Sequence, residues 1–143
     1  MIGASLFCLV TVNLAAGDEL RPLFRAIRAI ETSGIRAPDR QVGDNGRSIG
    51  PYQVSLPYWV DSGVGGLWIQ CHGRSYSEAV MLGYWKRHCP EALQQRNLEV
   101  LARIHNGGPN GHVKGATSIY WRKVERMLAR EKSPDFPRLA ARA

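Results

Sequence analysis

Two carboxylates carry most of the chemical information in this chain of 143 residues: Glu31, at the end of an apolar helical run, and Asp44, in the turn Asp44-Asn45-Gly46. A carboxyl on the apolar face of a helix C-terminus has two reasons for an elevated pKa. Desolvation disfavours its charged form, and the negative end of the helix dipole acts the same way. Such a group stays protonated near neutral pH and can hand its proton to a leaving oxygen, as glycoside cleavage requires. The other reading of Glu31 is a carboxylate at the edge of the stripe, reaching water or a nearby arginine. Glycoside hydrolysis also needs an ionised partner, and Asp44 lies in the next structural unit. It is equally an ordinary turn former, and Asp39 and Asp61 are alternative partners. The chain has no P-loop lysine–serine pair, EF-hand or HExxH motif, and no Cys/His cluster of structural-zinc spacing, so neither a metal nor a cofactor is expected.

These carboxylates must be positioned by the elements around them. After Asp18, a plausible N-cap, ELRPLFRAIRAIE reads as an amphipathic helix, with Pro22 in its first turn and Thr32-Ser33-Gly34 as its end. Leu20, Leu23, Phe24, Ile27 and Ile30 gather on one side of a 3.6-residue period, and Glu31 projects within that stripe. Residues 35–57 are rich in Gly, Pro, Asp and Asn, and Asp44-Asn45-Gly46 suits the turn of a small β-hairpin. Tyr58–Asp61 starts a further helical turn. Helices are then expected from Ser75 or Ser77 to Pro90, over Glu91–His105, and over Thr117–Arg130, with a permissive loop at Asn106–Gly111. The pattern is a mainly helical domain with a small antiparallel β-hairpin region.

Nineteen Lys and Arg against twelve Asp and Glu give a formal charge of +7, which favours encounter with polyanions. Nucleic acid and an anionic bacterial envelope both fit the charge. No reading helix or aromatic β-sheet motif supports nucleic acid, which is not expected as a partner. Residues 1–17 are uncharged, with an apolar stretch near Leu6–Val12 and small residues Ala15, Ala16 and Gly17, and read as a signal peptide without the usual basic start. The run is too short to span a membrane, so stable membrane insertion is not expected. The chain thus divides into a leader at 1–17, a domain at 18–131 and a basic tail at 132–143. Removal of the leader takes Cys8 away, leaving Cys71 and Cys89 as a pair in an oxidising compartment, where a disulfide is the default expectation.

Two blocks carry a family resemblance. GDNGRSIGPYQVSLPYWVDS resembles the S-x-G-P-[YF]-Q-[IV]-x-x-x-YW-x-D segment of invertebrate-type lysozymes, the group that includes destabilases, and ARIHNGGPNG followed by IYWRKV resembles a second segment of that group. With the preceding helix, the match spans roughly residues 27–124. It implies a lysozyme-like α+β fold with a cleft between a helical part and a small β part. The family's E-S-G acid corresponds to Glu31-Thr32-Ser33-Gly34, with one extra residue before the glycine. Aligning Gly50 with the family glycine puts Gly43 opposite the expected Asp, so Asp44 takes that role only with a one-residue change in the hairpin. Ser48, Tyr52, Gln53, Tyr58, His105 and Asn106 are the implied substrate-binding frame. The family is usually rich in disulfides, and this chain keeps only Cys71 and Cys89, both at family-like positions. Trp59, Trp68, Trp85 and Trp121 are accordingly read as core before any role in stacking on sugars.

The resemblance implies a secreted or periplasmic, monomeric lysozyme that hydrolyses the β-1,4 bond between N-acetylmuramic acid and N-acetylglucosamine in peptidoglycan. A lytic transglycosylase, a chitin-cleaving enzyme and a non-catalytic peptidoglycan-binding protein are the alternatives. Some members of the group also cleave isopeptide bonds, for which Ser48 and His105 are the residues of suitable type.

Overall fold

The computed structural model describes residues 11–33 and 38–133; the start of the apolar leader, Gly34 and the tail beyond Ser133 lie outside them. Helix α1 covers Thr11–Thr32. Leu20, Leu23, Phe24 and Ile27 are buried on it, as the period requires, and Ile30 packs at the edge of the core. The helix runs through Asp18 instead of being capped there, so Pro22 sits in its interior.

Strands β1 (Val42–Gly43), β2 (Ser48–Ile49) and β3 (Val54–Ser55) form an antiparallel sheet in the order β1-β2-β3. A hairpin was expected, and the third strand extends it. Asp44, Asn45 and Gly46 all adopt positive φ (50°, 55° and 88°), which turns the chain between β1 and β2. The register aligns Gly43, Ser48 and Ser55 in one cross-strand row and Val42, Ile49 and Val54 in the other. Side chains alternate along a strand. Ile49 and Val54 are buried in the core, so the row of three small residues faces the opposite side. Gly50, at φ 77°, closes the turn against the 3-10 segment Trp68–His72. A Cβ there would stand 1.9 Å from the Cys71 carbonyl oxygen, a distance only glycine tolerates.

Helix α2 (Leu56–Ser62) follows β3 directly: Ser55 caps it by accepting from the Tyr58 amide, and Gly63 in the left-handed region ends it. Helix α3 (Arg74–His88) begins after Gly73. Neither Ser75 nor Ser77 caps it. Ser77 is buried inside the helix and donates from Oγ to the Cys71 carbonyl at 2.7 Å. The span read as one helix over Glu91–His105 is two, α4 (Pro90–Gln94) and α5 (Leu98–Gly107). Arg96 at φ 55° breaks the path, and the Asn97 side chain caps α5 through the Val100 amide, 3.2 Å away. Helix α6 (Ala116–Lys132) packs antiparallel to α1: Tyr120 near its start meets Glu31, and Glu131 near its end accepts two hydrogen bonds from Arg25 at 3.1 Å.

Trp85 is fully buried and stacks on Phe24, with ring centroids 5.7 Å apart. Trp59, Trp68 and Trp121 pack against the same core. Trp59 donates to the Tyr76 hydroxyl and Trp68 to the Val54 carbonyl, which accounts for both indole N–H groups.

The expected disulfide is absent. Cys71 and Cys89 are both buried and both free. The Cys71 carbonyl is held by Ser77, and the Cys89 amide donates to the Trp85 carbonyl at 2.8 Å. Each cysteine is thus anchored through its backbone at a different end of α3, with its thiol unpaired. Burial pushes each thiol up to about 11, so both behave as small apolar core side chains.

Candidate active site

The end of α1, the sheet, the first turn of α2 and the last turn of α5 enclose a cleft of about 370 Å³. Gly43, Ser48 and Ser55 form its floor, a row of small side chains that leaves space above the sheet. Glu31, Asp44, Gln53, Tyr58, His105 and Asn106 complete the lining. Seven of the eight residues expected from the sequence therefore converge. Tyr52 does not: it is fully buried, edge-on to Phe24, with its hydroxyl donating to Glu78.

Glu31 is largely withdrawn from water, its side chain 19% exposed, and Oε1 accepts a 2.7 Å hydrogen bond from the Tyr120 hydroxyl. Burial raises its pKa. The Tyr120 hydrogen bond and the more distant charge of Lys123 pull it down, while the negative charge of Asp44 pushes it up, and the balance leaves it raised. Tyr120 is buried and its own pKa lies far above the usual phenol value, so it remains a donor.

A second ring approaches from α5. His105 Nε2 lies 3.8 Å from Glu31 Oε1, and Nδ1 lies 3.2 Å from the Tyr58 hydroxyl. Burial pushes His105 down to about 4, so the ring is neutral near neutral pH and its approach to Glu31 is not an ion pair. Tyr58 stacks face to face on Tyr84, centroids 3.7 Å apart, which fixes the hydroxyl that meets His105. Arg103, one turn before the end of α5, donates to Thr117 Oγ1 and to the Lys114 carbonyl, both at 3.0 Å. These bonds set the start of α6 against α5 and bring Tyr120, one turn further on, to Glu31.

Asp44 stands on the sheet side of the cleft, exposed, where Oδ2 accepts from Ser48 Oγ at 3.2 Å. Gly43 sits against the end of the Gln53 side chain. A Cβ at position 43 would lie 1.9 Å from Gln53 Oε1, whose amide is fixed by a 2.9 Å bond from Nε2 to the Gly50 carbonyl. A side chain at 43 would have to displace the Gln53 amide, and the carboxylate enters one residue later from a left-handed backbone. The alternative acids face elsewhere. Asp39 pairs with Arg74 at 3.6 Å and Asp61 with His88 at 3.3 Å, and neither lines the cleft. Among the described residues Ser48 and His105 share no hydrogen bond, since each is committed to another partner.

No family model matches the chain. A lysozyme of Meretrix lusoria is 34% identical over 97 residues, covering 66% of this chain and 80% of the relative. An invertebrate-type lysozyme of Ruditapes philippinarum is 31% identical over 100 residues, covering 68% of this chain and 74% of the relative. The chain belongs to the invertebrate-type lysozyme family. The crystal structure of Tapes japonica lysozyme superposes with a TM-score of 0.61 at 31% identity, covering 82% of this chain and 92% of that one. This member of the family has three cysteines in its whole sequence, and the two in the described residues are unpaired.

Tyr120, Gly43 and Ser55 are the site residues that the sequence reading did not single out. Tyr120 falls inside the IYWRKV block, but nothing in its neighbours says that it reaches a carboxylate 89 residues away. Ser55 carried a readable signal, since a serine two residues before Pro57 is a good helix cap and so marks the junction of β3 and α2.

Proposed function

We propose that this lysozyme-family chain is a secreted or periplasmic muramidase that hydrolyses the β-1,4 bond between N-acetylmuramic acid and N-acetylglucosamine in peptidoglycan. One observation carries the reading: a half-buried glutamic acid with a raised pKa faces an exposed aspartate across a single cleft. Protonated Glu31 donates its proton to the glycosidic oxygen as the C–O bond breaks. Asp44 supports the positive charge that develops on the sugar ring, or orients the water that attacks it. In the first case Glu31, now a carboxylate, takes a proton from the attacking water; in the second Asp44 takes that proton and Glu31 regains its own from solvent. Tyr120 holds the carboxyl in place throughout, and neutral His105 walls the site without adding a competing positive charge. Ser48, Gln53, Tyr58 and Asn106 offer hydrogen-bonding groups for hydroxyl and acetamido substituents along the floor.

Residues 1–17 are proposed as a cleaved signal peptide, 18–131 as the catalytic domain and 132–143 as a basic tail, in a protein that acts as a monomer on the envelope and binds no nucleic acid. Pro22 supports cleavage near residue 17. In the interior of a helix a proline costs about 3 kcal/mol, and trimming α1 to Asp18 leaves only the Asp18 carbonyl, at the fraying start of the helix, for it to disturb. Among the described residues no helix is long and apolar enough to cross a membrane.

Mass spectrometry of purified peptidoglycan after digestion tests the reaction. Hydrolysis leaves reducing-end muramic acid and adds one water per cut. Anhydromuramyl products would assign a lytic transglycosylase, and retention on the glycan without any product would assign a binding protein.

A further inference from the structure

Beside the cleft, the seam between α1 and α6 forms a groove of about 210 Å³ lined by Ile30, Lys123, Arg126, Met127 and Arg130. Lys123, Arg126, Met127 and Arg130 follow the i, i+3, i+4, i+7 spacing that puts residues on one helix face. The groove starts at the catalytic end. Ile30 precedes Glu31, and Lys123 lies one turn beyond Tyr120. From there the cations extend about 10 Å along α6. Its three cations form no ion pair with a carboxylate among the described residues. Ile30 and Met127 supply an apolar floor.

The larger groove of about 530 Å³ between α1 and α3 makes a useful contrast. It holds four arginines, of which three are in ion pairs: Arg21 with Asp18, Arg25 with Glu131 and Arg74 with Asp39. Three of those four charges are answered by carboxylates of the protein. None of the three in the smaller groove is, among the described residues, and Arg126 donates only to the Arg122 carbonyl. Its volume lies below the roughly 300–1,000 Å³ of ordinary small-molecule pockets, which suits a short segment better than a glycan chain.

We propose that this groove binds an acidic, aliphatic peptide: the stem peptide that a peptidoglycan strand carries on its muramic acid residues as the strand leaves the cleft. The inference rests on the muramidase reading and narrows its substrate to peptide-bearing glycan. Carboxylates of the stem meet Lys123, Arg126 and Arg130, and its small aliphatic side chains cover Ile30 and Met127. A glycan without stems, such as chitin, leaves the groove empty and gains nothing from it.

The test compares two soluble oligosaccharides of equal length, one bearing stem peptides and one stripped of them, with wild-type protein and the double variant R126Q/R130Q. The variant should lose roughly tenfold in kcat/KM on the peptide-bearing substrate, as expected for two exposed ionic contacts, and less than about twofold on the stripped one. R126K/R130K should recover most of the loss. An equal fall on both substrates, or none on either, would overturn the proposal. Titration with a free acidic stem peptide, followed by NMR at the Ile30 and Met127 methyl groups, reads the groove without turnover. Methyl shifts that appear at low salt and fade at high salt are expected, and their absence would overturn the proposal even in an active enzyme. Failure of the wild type to cut either substrate while those shifts persist would count against the muramidase reading alone.

Discussion

Tyr120 and Asp44 act on Glu31 in opposite directions. The phenol stabilises the carboxylate form by donating to it, whereas the charge of Asp44 stabilises the protonated form, and burial tips the balance towards the acid. In the proposed reaction the donor is lost as pH rises through the pKa of folded Glu31. Tyr120→Phe removes a contribution that lowers this pKa, so the alkaline limb of the kcat/KM profile should move to higher pH. Turnover at the optimum should fall by about tenfold or less, the worth of one hydrogen bond. A limb that stays in place or moves to lower pH would show that Tyr120 does not tune the acid. Glu31 itself was legible in the sequence because its helical period places a carboxyl among Leu20, Ile27 and Ile30. Its partner was not, because the contact comes from a distant helix whose angle is set by tertiary packing. Tyr52 illustrates the converse. Its place in the Gly-Pro-Tyr-Gln block gave it a site-like address, but its ring turns into the core against Phe24.

The elements were read with uneven success, for physical reasons. Long periodic runs such as α1 and α6 announce themselves through burial on one face. The short α4–α5 junction does not, because its break depends on one positive-φ residue, Arg96, and one capping asparagine, Asn97. The hairpin was visible in Asp44-Asn45-Gly46, yet the cleft floor emerges only when the register aligns Gly43, Ser48 and Ser55. The cysteine pair misled because an oxidising compartment permits a disulfide without requiring one, and both thiols are buried singly in the core. Helix α5 carries a further consequence. Buried His105 titrates at about 4 when folded against about 6.5 when exposed, so its contribution to stability is full above about 6.5 and is lost as pH falls towards 4. The shift corresponds to about 3 kcal/mol. Urea unfolding of wild type and His105→Gln at pH 7 and pH 4.5 should show a large stability gap at the higher pH that narrows at the lower. A gap that does not change with pH would place the histidine's value in packing alone.

At the scale of the molecule, the helical body presents an acid from α1 to a three-stranded sheet that presents the aspartate, and α6 locks the acid from behind. The formal charge of +7 is spread unevenly: three of the four arginines between α1 and α3 are in ion pairs, while among the described residues the three cations beside the cleft are in none. In the proposed function that charge draws an anionic glycan towards the end of the molecule that holds the acid. The proposed reaction turns on Glu31 delivering a proton, and turnover of peptidoglycan by the Glu31→Gln protein tests this most directly. Glutamine keeps the shape and can hydrogen-bond, but it cannot protonate a leaving oxygen. With folding verified by circular dichroism and Asp44→Asn measured alongside, Glu31→Gln should lose at least about 100-fold in kcat, within the roughly 100- to 10,000-fold that general acid catalysis supplies, and Asp44→Asn should be the next most impaired. Near-wild-type turnover by folded Glu31→Gln would contradict the mechanism.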